Sequence, residues 1–287
     1  MGANPRSRLG RSDGPRKGCR TMPSNRVTIG NVELVSLSDG NGDRDPVETF
    51  PDSTREQWAE YPELLDADGH VHPRYGTAAL RSGGKLIIVD TGLQAPDGTL
   101  LDDMRANGID PGAVDLVVLT HLHPDHVGWN LTDGKPTFPN ARYLAPRTDW
   151  DYWTQPSVLE ASAHVQDQVM PLQDLNLLDL MDDAYDITDE LKTMATPGHT
   201  PGHTSIAISS AGQRGFILGD VAHSPAQAHY TDWNPVFDID PVRSRKTRHG
   251  VIDRLETEGP LVSAGHFPHP GLGRFVRREG RRVWQGI

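Results

Sequence analysis

Three imidazoles and a carboxylate stand within six positions at His121-Leu122-His123-Pro124-Asp125-His126, the densest group of metal-type donors in the chain. Along an extended or tightly turning segment alternate residues project together. His121 and His123 can therefore bind one cation while Asp125 and His126 turn toward a second. A purely structural role would leave four polar groups to be paired in a buried loop to no end. Zinc-type sites take three or four ligands, so further donors must arrive from elsewhere. His199, Asp220 and His266 are the candidates, in Thr196-Pro197-Gly198-His199, Leu218-Gly219-Asp220 and Ala264-Gly265-His266. Each follows a strand-like run and sits beside a glycine, which lets backbone approach an ion closely. The two oxygens of Asp220 can bridge two cations about 3.5–4 Å apart with a hydroxide trapped between them. Cys19 is the single cysteine, so intramolecular disulfides and cysteine-rich metal sites are excluded.

Strand ends must carry these donors. Val27–Ile29 and Val32–Leu37 read as strands joined at Gly30-Asn31, and Ala78–Arg81 and Lys85–Val89 as strands either side of Ser82-Gly83-Gly84. Leu116–Leu119 is a buried-type strand delivering the chain to His121. Arg142–Ala145, Leu191–Thr196, Ser205–Ile208, Gly215–Leu218 and Leu261–Ala264 are further strands. Helices are expected over Thr99–Asn107, Val158–Val169 and Val242–Glu258, the first stopped by Gly108. Residues 39–76, rich in Pro, Asp and Gly, read as an insertion or lid with a helix over Thr54–Leu65. Strands interspersed with helices, and too many for one sheet, give an α/β class with two mixed sheets. No period of 20 to 50 residues repeats, so residues 26–287 form one domain.

With Asp90-Thr91-Gly92, the His121–His126 motif, His199, Asp220 and His266 in this order, the chain from 26 to 287 resembles the metallo-β-lactamase superfamily. The resemblance implies a four-layer αβ/βα sandwich of two mixed sheets flanked by helices, with the active site along one edge. It also implies a binuclear centre with His121, His123 and His199 on one metal, Asp125, His126 and His266 on the other, and Asp220 shared. Two divalent ions follow, zinc first, with Mn, Fe or Co able to use the same ligand types. The stretch Gly219–Pro225 and the ending His266-Phe267-Pro268-His269-Pro270-Gly271 look like the lactonase and organophosphate-hydrolase branch. Where quorum-quenching lactonases commonly place a tyrosine, three residues after the bridging aspartate, His223 stands here.

The expected activity is hydrolysis of a small neutral ester, lactone or phosphotriester by a metal-bridging hydroxide. Asp125 and His223 are the catalytic candidates. Asp125 would aim the hydroxide, and His223 would donate to the oxyanion or leaving oxygen unless it is a surface histidine. Asp90 is expected to orient a ligand histidine and His203 to support a ligand rather than bind metal. His70, His72, His164, His229 and His249 read as solvated or structural, and His269 as pocket rim. Trp58, Tyr61, Trp129, Trp150 and Trp153 read as core before pocket, and Arg274, Arg277, Arg278, Arg281 and Arg282 as a solvated final strand.

The formal charge is −11, yet residues 1–25 hold six basic side chains against Asp13. The remaining body, near −16, repels nucleic-acid phosphate, so a small-molecule substrate and no nucleic-acid partner are expected. The arm itself reads as disordered, or as preceding a true start at Met22; it lacks the apolar core of a signal peptide. No apolar run approaches the roughly 18–20 residues of a membrane helix. A soluble cytoplasmic protein is expected, with a homodimer possible through residues 39–76. Rival readings are a nucleic-acid phosphodiesterase of the same superfamily, an iron-dependent sulfur oxygenase, and a non-catalytic metal-bound scaffold.

Overall fold

The computed structural model describes Met1 and residues 24–287; the expectation for the basic arm, Cys19 included, lies outside the described residues up to residue 23. In the first half of the chain, β1 (Arg26–Ile29), β2 (Val32–Asn41), β3 (Arg74–Ser82), β4 (Lys85–Val89) and β5 (Leu116–Val118) come first. A small hairpin of β6 (Leu131–Thr132) and β7 (Lys135–Pro136) follows, then β8 (Arg142–Pro146) and β9 (Leu178–Met181). Apart from the hairpin they form one sheet in the order β1-β2-β3-β4-β5-β8-β9, antiparallel as far as β4 and parallel beyond. The second half gives β10 (Leu191–Ala195), β11 (Thr204–Ser210), β12 (Gln213–Ile217), β13 (Leu261–Ser263), β14 (Leu272–Arg278) and β15 (Arg281–Gly286), paired in sequence order with only β12 and β13 parallel.

Period-two alternation builds the layers. In β4, Leu86 and Ile88 face one core while Ile87 and Val89 face another. The first core holds Leu100, Met104, Trp150, Trp153, Val165 and Leu172 from helices covering the outside of the first sheet. The second lies between the sheets, where Ile87 and Val118 share a cluster with Ile206, Ile208 and Ile217. A third seals the outside of the second sheet with Val251, Ile252 and Leu255 of the helix Pro241–Glu258. That helix starts on Asp240, whose carboxylate accepts from Arg243 N, and stops at left-handed Gly259. Helix, sheet, sheet, helix is the expected four-layer α/β sandwich.

Two expected helices are broken. Over Thr54–Leu65 the chain makes one turn, Arg55–Trp58, and then a 3-10 turn, Pro62–Leu64. Pro62 removes an N–H and drives Tyr61 out of helical geometry (φ −125°, ψ 56°). Over Val158–Val169 the break falls at Ser162, which is non-helical and whose hydroxyl donates to Val158 O. The segment expected as an insertion is also narrower at its ends: β2 runs to Asn41 and β3 starts at Arg74, so the excursion between them is 42–73. Its Phe50, Trp58 and Val71 pack on Ala226 and Trp233, so it is buried against its own chain. The two indoles lie 5.0 Å apart.

Candidate metal centre

The donors converge from four strand ends. His121 follows β5, His123 leads into the one-turn helix Pro124–Val127, His199 follows β10, and Asp220 and His266 follow β12 and β13. His121, His123 and His199 form one cluster, His121, His126 and Asp220 a second, and Asp125, His126 and His266 a third, each with ligand atoms within 4.8 Å of one another. His123 Nδ1 lies 3.1 Å from His121 Nε2 and 2.8 Å from His199 Nε2. Asp220 sits between the groups. Its Oδ2 is 3.2 Å from His199 Nε2 and 3.0 Å from His266 Nε2, and its Oδ1 is 3.3 Å from His126 Nε2. Asp125 Oδ2 is 3.6 Å from His266 Nε2.

The surrounding hydrogen bonds fix which ring nitrogen carries a lone pair. Thr120 spends its hydroxyl proton on Asp90 Oδ2, so His121 Nδ1, 3.0 Å from that hydroxyl, must be the donor to it. His126 Nδ1 donates to Asp90 Oδ2, His199 Nδ1 to Asp238 Oδ1, and His266 Nδ1 to Arg74 O, at 2.8, 2.9 and 2.8 Å. All four therefore turn Nε2 lone pairs inward, the tautomer a ligand histidine needs. Among the buried atoms that make no hydrogen bond are His126 Nε2 and Asp220 Oδ1, both inside the cage. These two atoms face each other at 3.3 Å without a hydrogen bond, and both fit divalent cations.

The electrostatics agree. Burial pulls His121 and His123 well below the usual imidazole range, so both are neutral donors. Burial also acts on His126 and His199, but carboxylates outweigh it: Asp220, Asp90 and Asp125 raise His126 well above its usual value, and Asp220 with Asp238 lifts His199 to about 9. Burial would raise Asp220, yet the surrounding histidines hold it well down. The cage thus calls for positive charge, which ions would supply while displacing protons.

Supporting residues are equally ordered. Asp90 adopts φ +61°, rare for a non-glycine residue, and is held there by Thr120 N at 2.7 Å while it orients His126. His203 Nε2 accepts from Asp220 N at 2.8 Å, with burial pushing its pKa down to about 3, so it supports the shared aspartate. Asp149, fully buried, accepts from Leu122 N and Gly202 N and so ties the His121–His126 loop to the His199 loop. Asp90 and His203 were expected from sequence, but Asp149 and Asp238 were not, since Leu122 and His199, which they hold at the site, lie 27 and 39 residues away with no local spacing to mark them. The glycines act differently from expectation. A Cβ on Gly198 would sit 2.2 Å from Ser244 N, and one on Gly219 2.5 Å from His203 Nε2, so they make room for neighbouring protein rather than for an ion.

Above the cage opens a cavity of about 390 Å³. His123, Asp125, His199, Asp220, His223 and His266 line it, together with Phe50, Leu64, Val71, Leu93 and Phe237. His223, 7 % exposed, is a cavity residue and not a surface one; its Nε2 is 3.1 Å from Asp220 Oδ2 and its ring stacks on His266. The 42–73 excursion forms one wall and leaves the cavity in place. Trp58, Trp150 and Trp153 lie in core clusters with Tyr61 and Trp129 packed beside them; Trp153 also meets His123 edge-on. Of the C-terminal arginines, Arg277 and Arg282 pair with Glu256 and Arg281 with Glu60, while Arg274 and Arg278 donate to Gly259 O and Gln285.

A two-sheet sandwich bearing a His/Asp cage at one end of its strands is the architecture of a metallo-hydrolase fold, and the comparisons agree. The family model described as the metallo-beta-lactamase superfamily matches residues 76–266, and the chain belongs to that superfamily. The N-acyl homoserine lactonase AttM of Rhizobium radiobacter is 32% identical over 184 residues, 60% of this chain and 65% of the relative, so the match spans just under two thirds of that protein. An N-acyl homoserine lactonase of Bacillus thuringiensis is 22% identical over 58% of this chain and 61% of its own length. Among solved structures, the hydrolase AbOPH of the beta-lactamase superfamily superposes with a TM-score of 0.85 at 26% identity, covering 93% of this chain and 99% of that one. The dizinc quorum-quenching lactonase AidC, solved with a hexanoyl homoserine product, gives 0.80 at 23% identity over 91% and 96%, a likeness of fold.

Proposed function

We propose that the protein is a binuclear metal-dependent hydrolase acting on a small neutral ester, with a lactone as the first substrate to test. The observation carrying this reading is the convergence of His121, His123, Asp125, His126, His199, Asp220 and His266 at the floor of an apolar cavity. The lactonase relatives and the hydrolase-like fold support it. His121, His123 and His199 would hold one divalent ion, Asp125, His126 and His266 the other, and Asp220 both. Such ions, zinc first, make hydroxide available near neutral pH and polarise the oxygen under attack.

The chain's own groups do the rest. Asp125 Oδ2 can accept a proton-bearing nucleophile and aim it at the carbonyl carbon. His223 is buried at the cavity floor with its Nε2 3.1 Å from Asp220 Oδ2 and its Nδ1 without a hydrogen bond, so a ring N–H can serve the oxyanion or leaving oxygen of a substrate in the cavity. Phe50, Leu64, Val71 and Phe237 exclude water and take the apolar part of the substrate. An apolar wall of this kind suits an acyl chain and gives no track for a polynucleotide backbone.

Metal analysis of the wild type and Asp220→Ala, with turnover of γ-lactones followed by acid release, tests the reading. About two ions per chain, loss of metal in Asp220→Ala and chelator-reversible lactone opening are expected. A wild type that neither carries nor takes up metal would overturn it.

A further inference from the structure

His199 hangs from a buried ionic chain that the catalytic reading does not use. Its Nδ1 donates to Asp238 Oδ1 at 2.9 Å, and Asp238 Oδ2 accepts from Arg248 at 3.1 Å; the side chains of Asp238 and Arg248 are both 0% exposed. Arg248 belongs to the helix Pro241–Glu258 on the far side of the second sheet. Its guanidinium also donates to Val221 O at 2.8 Å, the carbonyl next to Asp220, and to Trp233 O at 2.7 Å. Backbone bonds Ile239 N to His199 O and Asp240 N to Gly198 O hold the two loops side by side, so the carboxylate is presented to His199 by a rigid frame.

From this geometry, and resting on the binuclear reading above, we infer that Asp238, clamped by Arg248, is the positioning residue for the ion held by His121, His123 and His199. The carboxylate fixes the tautomer and ring plane of His199 and raises its basicity as a ligand. Arg248 in turn neutralises a carboxylate that would otherwise be buried unpaired. One guanidinium thereby joins the loop of His199 to that of the shared Asp220. Asp90 is the counterpart on the other ion, acting through His126 Nδ1. Asp238 therefore serves the first ion alone, whereas Asp90 serves the second directly and reaches His121 only through the Thr120 hydroxyl.

Asp238→Asn keeps size and, with its amide oxygen toward His199, the acceptor there, but removes the charge and turns an N–H₂ toward Arg248. Stepwise chelator competition on zinc-loaded protein should show one of two ions bound about 10–100-fold more weakly, the other unchanged. Crystals grown with one zinc equivalent should show the weakened position to be that of His199. Asp90→Asn should weaken chiefly the His126 ion, with a smaller loss at the His121 ion that it reaches through Thr120. Arg248→Lys, which keeps the charge without the planar fork, should give a smaller loss at the same ion as Asp238→Asn and serves if that variant fails to fold. Unchanged affinity for both ions in Asp238→Asn would overturn the inference. So would equal weakening of both ions with a parallel drop in the melting temperature of the metal-free protein, which marks a merely structural role. Fewer than two ions in the wild type would instead overturn the binuclear reading itself.

Discussion

His223 faces Asp220 from the cavity side through Nε2 and leaves Nδ1 without a hydrogen bond, while the cage histidines are anchored by their outer nitrogens. Replacing it by Phe should leave metal content intact and lower kcat on a lactone by about 100-fold, as loss of a proton donor does. An unchanged kcat in steady-state assays would retire His223 from the reaction. That an imidazole stands here was plain from spacing, but its direction was not, because the stacking on His266 joins residues 43 apart. The cage was legible for a different reason: its donors fall beside strand ends, and strand ends are marked by local alternation and glycine. Asp149 and Asp238 carry no such mark. An aspartate that serves a partner dozens of residues away reads like any loop aspartate until the chain is folded.

Elements explain why the loops hold still. Gly198 at φ +134° lies so close to the helix Pro241–Glu258 that a methyl group has no space against the backbone of Ser244. Gly198→Ala should destabilise the fold by about 2 kcal/mol or more, seen as a lower denaturant midpoint with unchanged slope. The expected strands are present because period-two patterning is local, although those at 32–37 and 78–81 run longer and Leu178–Met181 was not among them. The expected helices at 54–65 and 158–169 broke because Pro62 and Ser162 override an apolar spacing that survives the break. The 42–73 excursion is pinned by His70 with Asp43 and His72 with Asp66. Bonds to Asp43 and Asp66 raise these histidines above 6.5, and bonds from His70 N, His72 and Asp68 N lower Asp66 to about 2. A histidine pKa raised on folding means stabilisation that is complete below 6.5 and lost as pH rises through the raised value. The lowered Asp66 contributes above about 3.8 and loses that contribution as pH falls toward 2. Limited proteolysis between Gly42 and Pro73 should therefore be slowest in mildly acid buffer and quicken toward alkaline pH. A rate flat across that range would show that the aromatic packing alone secures the excursion.

For the whole molecule, the centre gathers polar donors from both sheets into a single small volume. His121, His123, Asp125 and His126 come from the first sheet's side, and His199, Asp220 and His266 from the second's. Chelation should lower the melting temperature of the loaded protein, and zinc should restore it, because binding to the native state alone adds directly to its stability. A melting temperature indifferent to chelator would mean that ions do not discriminate folded from unfolded chain. Two sheets with helices were readable from the number and order of strands and the four layers from the family resemblance, whereas the cavity's size and apolar wall depend on how an excursion packs on residues 226–233, which no local pattern encodes.

A cage assembled from two sheets has a kinetic meaning as well. Residues 121 and 266 must meet across about half of the chain, a slow, non-local event in folding. An ion bound at full strength is then a certificate that the sandwich has closed. A chain with its sheets misdocked would retain the His121–His126 motif but lack the donors opposite, and would give up its metal to any competing chelator. Tight metal retention therefore separates correctly assembled molecules from compact misfolded ones without reference to catalysis.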